Sequence, residues 1–165
     1  QAGPLSESCG ATLPVDIYQK IQQTIIDTLD KSDYIHVVGN NGNETDLKVS
    51  LAVLNNPETE TKYENCLADV NIPLGEVFTS PVLKGTEGVL HVKEVFLNDL
   101  KFKNIKLTIK DGKISEYTCT NYDDEKKNKE FIEENLLFHH PTLPMGGAAI
   151  GTNTYAYALA KRYDI

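Results

Sequence analysis

From Pro14 onward the apolar residues recur at three- and four-residue steps. Val15, Tyr18, Ile21, Ile25 and Leu29 form one stripe, which predicts an amphipathic helix ending near Lys31. Pro14 suits a first-turn position, where a missing N–H costs nothing, and Asp16 suits the positive helix start. The stripe is expected to lie on a sheet. The period then shortens to two. Tyr34-Ile35-His36-Val37-Val38 reads as a strand, and Gly39-Asn40-Asn41-Gly42-Asn43 as the loop that ends it. Leu47, Val49 and Leu51 alternate with Lys48 and Ser50, so the next strand has one buried face.

Asn55 to Tyr63 is polar, contains Pro57 and reads as a loop. Beyond Gly75, the residues Val77, Phe78 and Thr79 favour a short strand, and Gly88 to Leu97 a longer one. Asn98-Asp99 turns the chain. Phe102, Ile105, Leu107 and Ile109 then lead to Lys110-Asp111-Gly112-Lys113, whose Asp-Gly centre is a hairpin signal. Ile114, Tyr117 and Cys119 follow, so the region reads as an antiparallel meander. The charged run Asp123 to Asn128 is a solvated face that opens a helix, with Phe131, Ile132, Leu136 and Leu137 on its apolar side. This helix stops before Pro141, because the residue preceding a proline avoids helical angles. His139 to Gly147 is a loop. Ala148 to Tyr163 reads as a closing helix, which Gly151 weakens at its start, so that Thr152 or Asn153 serves as the cap.

Strands followed by helices indicate an α+β fold: an N-terminal helix, an antiparallel or mixed sheet of about six strands, and two C-terminal helices. Residues 1–13 read as an irregular leader, 14–122 as helix plus sheet and 123–165 as the helical end of a single domain or fragment.

Composition narrows the function classes. At 165 residues there is enough chain for one domain with a real core, and 40% apolar with 24% charged residues is ordinary for a globular protein. A formal charge of −8 argues against nucleic acid or an anionic membrane as partner. No apolar run is long enough to span a bilayer, and no N-terminal signal pattern is visible. Because the sequence starts at Gln1, it reads as a processed or excised piece. Cys9, Cys66 and Cys119 cannot all pair within one chain and form no C-x-x-C motif, so free thiols in a reducing, cytoplasmic compartment are expected. Asn43-Glu44-Thr45 meets the glycosylation sequon, a triplet that also arises by chance.

The run Asn71-Ile72-Pro73-Leu74-Gly75-Glu76-Val77-Phe78-Thr79-Ser80-Pro81 carries the main candidate chemistry. It fixes Glu76 between a Pro/Gly turn and a strand, where little rotamer freedom remains, which suits a metal ligand or general base. A glutamate at a turn is more often simply solvated. Read together with Thr45 to Leu51, Asp99 to Thr118 and Leu143 to Ile165, however, this run resembles the two-metal aminopeptidases of the aminopeptidase T and aminopeptidase S family. The likeness spans residues 33 to 165 and corresponds to a middle slice of a longer enzyme.

That resemblance implies divalent metals, zinc or cobalt, in the parent enzyme and a peptide as its substrate, cut by a metal-activated water. It implies Glu76 as a metal ligand. It also implies a carboxylate directly after the glycine in the later motif, where this chain has Gly147, and further ligands beyond Ile165. One carboxylate does not hold a catalytic ion and gives only weak, exchangeable binding, so the isolated chain is expected to be inactive. His140 is a weaker metal candidate, should the loop fold back over the strand. Adjacent histidines rarely share a metal, and His139-His140 more commonly ends a helix by bonding its last carbonyls. His36 and His91 read as packing or surface residues within strands.

Other site classes find little support. Gly146 to Asn153 lacks the Lys-Ser/Thr ending of a phosphate loop, and no G-x-S-x-G run is present. The leading expectation is therefore a fragment of a metal-dependent aminopeptidase. The alternative is a non-catalytic scaffold or interaction domain that has lost the metal site. Self-association into a homo-oligomer is expected in either case, because a trimmed piece exposes apolar surface.

Overall fold

A computed structural model of the chain describes residues 14–67 and 75–163. The expected irregular leader and the Asn71-to-Leu74 part of the glutamate motif lie outside the described residues. The chain divides into two compact units: residues 34–52 with 81–146, and the segments up to 33, 53–80 and from 147 onward.

The unit spanning 34–52 and 81–146 is a five-stranded antiparallel sheet in the order β1-β2-β5-β6-β7. Its strands are β1 (Tyr34–Val38), β2 (Asp46–Ser50), β5 (Val82–Leu97), β6 (Leu100–Lys110) and β7 (Lys113–Thr118). The expected hairpin of β1 with β2 has Leu47 and Val49 buried and their neighbours outward, as the alternation demands. At both meander turns the residues Asn98, Asp99, Asp111 and Gly112 take positive φ, which lets two-residue loops follow the strand twist. A helix, Glu125–Asn135, packs on β7. Asp124 caps it by accepting from the N–H groups of Lys126 (2.8 Å) and Lys127 (3.3 Å). The core here is Phe102, Ile105, Cys119, Ile132 and Leu137. The Phe102 and Phe131 ring centroids are 4.7 Å apart.

In the other unit a three-stranded antiparallel sheet is ordered β3-β4-β8, from Glu64–Cys66, Glu76–Thr79 and Ala148–Gly151. Helix α1, Val15–Leu29, packs on β3 and β4. Its buried face is not the full expected stripe. Tyr18, Gln22 and Ile26 are buried, whereas Val15 and Ile21 are 47% and 43% exposed. Gln22 turns the helix this way: its Nε2 donates to Asn65 Oδ1 (2.6 Å) and Cys66 O (3.2 Å), and its Oε1 accepts from Thr152 Oγ1 (2.9 Å). A fully satisfied buried amide replaces an apolar contact.

Counting α1, the helix on β7 is α2 and the last, Thr154–Tyr163, is α3. The class and the placement of helices are as expected. The strands among the described residues number eight and are shared between two sheets. Ala148–Gly151, expected as helix, is instead strand β8, and α3 starts only after Asn153, whose Oδ1 accepts from Ala156 N at 2.9 Å. Small residues with weak preferences follow the open edge of β4 rather than their own propensity.

Candidate functional site

Glu76 opens β4, the central strand of the small sheet, opposite Cys66 on β3 and Gly151 on β8. Gly75 makes this junction possible. Its φ is +122°, and a Cβ there would lie 3.0 Å from both Asn153 Cβ and Thr152 Oγ1. Its carbonyl accepts from Thr152 N at 2.8 Å, tying the start of β4 to the chain leaving β8. Glu76 is half-buried. The Cys66 thiol is pushed up by burial first, then by the charges of Glu76 and Glu64. The pair is therefore a carboxylate beside a protonated thiol, a poor donor to a metal.

Gly147 lies in the same unit. A Cβ added there would sit 2.5 Å and 2.7 Å from Cε2 and Cζ of Phe78. The aromatic ring of the glutamate motif thus fills the place where any side chain at 147 would begin.

His140 belongs to the other unit and is exposed, as is His139. Phe138 and His139 take positive φ beyond α2. The backbone N–H of His139 donates to Glu133 O (2.8 Å) and that of His140 to Leu137 O (2.9 Å), so the pair does close the helix end, through main chain. Both rings border a cavity of about 230 Å³ with Tyr117, Glu133 and Pro141. Tyr117 donates to Glu133 Oε1 at 2.7 Å. Burial and that bond push its phenol up to about 12.

Among the described residues no three His, Cys, Asp or Glu side chains gather into a metal-binding group. Catalytic zinc takes about three protein ligands and keeps one position open. The described donors therefore do not by themselves fit a catalytic metal, and no reaction step follows from them.

One residue read from sequence as packing or surface has a richer setting. His91 is 4% exposed, and its Nδ1 accepts from Glu44 N at 2.9 Å. Asn43 Nδ2 donates to the His91 carbonyl (2.8 Å), and Thr45 Oγ1 bonds both His91 O (3.1 Å) and His91 N (3.0 Å). The sequon residues are thus structural partners of β5. No local sequence signal announces this, because the partners lie more than forty positions apart.

No described helix is long and apolar enough to cross a membrane. Comparison with known families places these elements in a defined class. The sequence model of the thermophilic metalloprotease (M29) family matches residues 16–152, and the chain belongs to that family. Among solved structures, wild-type AmpT from Thermus thermophilus shares the fold, with a TM-score of 0.58 at 18% identity. The alignment covers 93% of this chain and 39% of that one, so this chain spans well under half the length of its structural relative. No curated protein matches the chain.

Proposed function

We propose that this chain supplies the Glu76-bearing part of a metal-dependent aminopeptidase, which removes N-terminal residues from peptides, and that alone it does not turn peptides over. The family match carries this reading, since it runs across Glu76 at the start of the central strand. Glu76 is the ligand position of the assembled enzyme, and His140 the weaker candidate. Zinc or cobalt is the expected ion, and the free thiols suit the cytoplasm. Calorimetric titration of the full chain with zinc or cobalt, beside Glu76→Ala, tests the assignment. Weak binding that Glu76→Ala abolishes supports it; identical heats from both proteins refute it. Metal-dependent release of a chromogenic aminoacyl product by the chain alone would refute its inactivity.

A second reading, a scaffold that has lost the metal site and works by binding or self-association, is favoured by the Phe78 ring over Gly147. Tight stoichiometric metal binding that depends on Glu76 would exclude it. Light scattering that shows a strict monomer at high concentration would count against the self-association.

A further inference from the structure

The meander unit contains a half-open groove of about 750 Å³, remote in sequence from the glutamate motif. His91 forms part of its lining, with Lys93, Lys106 and Lys129 against Glu44 and Glu125. Three cations face two anions, a formal excess of one positive charge in a chain whose net charge is −8. Because Nδ1 of His91 accepts the Glu44 N–H, the ring proton sits on Nε2. That Nε2–H is buried and has no acceptor among the described residues. Burying a polar group without a partner is costly, so an orphaned donor beside a cationic groove calls for an acceptor.

The sheet order shows what covers it. β5 lies between β2 and β6, and His91 stands directly opposite Lys106. Glu44, just ahead of β2, reaches across to Lys106 with its carboxylate 2.7 Å from Nζ. The pair therefore straps over His91 from one flanking strand to the other. Lys106 holds the Glu44 carboxyl below the usual range, by hydrogen bond first and charge second. Both side chains are substantially exposed, 39% and 60%, and exposed ion pairs are weak. Opening the strap costs a ligand little affinity.

We propose that this groove is a binding site for a small oxyanion, a phosphate or carboxylate group, which takes the place of the Glu44 carboxylate on Lys106 and accepts the Nε2–H of His91. Glu44 is then an internal occupant of the site that the ligand displaces. The chemistry of the donors excludes a simple cation, since a protonated Nε2 and an ammonium both repel one.

The test follows the His91 imidazole by long-range 1H–15N NMR in the full chain, titrated with sodium phosphate and, separately, with N-acetylglycine at constant ionic strength. A saturable shift of the His91 Nε2–H with either anion is expected, and the anion that saturates names the source. The two exposed partners should act with opposite sign. Lys106→Met weakens binding about tenfold or more, since a charge-assisted bond is lost, whereas Glu44→Gln tightens it by removing the competitor. Neither change touches the core, so folding is preserved. No saturable shift with either anion, or weaker binding in Glu44→Gln, overturns the proposal.

Discussion

Gly147→Ala tests the closest packing constraint near the candidate site. The new Cβ would stand 2.5 Å from a ring carbon of Phe78, whereas carbon atoms pack at about 3.5 Å or more. The ring must therefore retreat by about 1 Å. Overpacking of this kind costs about 1–3 kcal/mol, and the half-buried position of Phe78 places the change in the lower part of that range. The backbone at 147 is not left-handed, so alanine carries no φ penalty and would otherwise stabilise by about 0.4–1 kcal/mol through the unfolded chain. The sign of the effect thus depends on Phe78 alone. Urea unfolding followed by far-UV circular dichroism, which suits a chain without tryptophan, should show Gly147→Ala destabilising in the natural background and neutral or stabilising with Phe78→Ala. Equal costs in both backgrounds would refute the packing argument. The same geometry predicts that a glutamate introduced at 147 is accommodated only when residue 78 is made small.

Three further outcomes follow from individual contacts. Gln22→Ala should cost about 2–3 kcal/mol in the same unfolding assay, because Asn65, Cys66 O and Thr152 all lose a buried partner. Asp124→Ala should cost about 1 kcal/mol, the usual value of a helix cap, with Asp124→Asn close to neutral. Tyr117 should titrate near 12 by ultraviolet absorbance, returning toward 10 in Glu133→Gln. Its folded pKa is raised, so its contribution to stability is complete below the unfolded value of 10 and is lost as pH rises toward 12. A phenol titrating at 10 in the folded chain would contradict the Tyr117–Glu133 bond.

Much of this fold could be read from local pattern. The turn residues Asn98-Asp99 and Asp111-Gly112, the alternation about Leu47 and Val49, and the cap at Asn153 are signals carried by neighbouring residues, and each holds. The misreadings share one cause, which is that a distant partner decided the outcome. Helix α1 buries Gln22 because Asn65 and Thr152 wait for it, and Ala148–Gly151 is a strand because β4 offers an edge. Strand β3 is too short, at Glu64–Cys66, to leave a period in the sequence. Glu76 was legible as a candidate from the rigidity of its junction. Its thiol neighbour Cys66 was not, because pairing register between separate strands is invisible along one chain. The setting of His91 was hidden for the same reason.

The two tight turns of the meander have a consequence for how the molecule forms. Strands β5, β6 and β7 are joined by loops of two residues, so their pairing closes almost no chain and forfeits little entropy. Pairing β4 with β8 must instead bring Glu76 to Gly151, with the whole meander and α2 lying between them in sequence. Contacts between sequence neighbours assemble early and distant ones late. The meander, with Phe102 and Ile105 at its centre, is thus expected to be the nucleus, and the sheet that holds Glu76 to close last. Substitutions such as Ile105→Val should slow folding, whereas Val77→Ala should chiefly hasten unfolding.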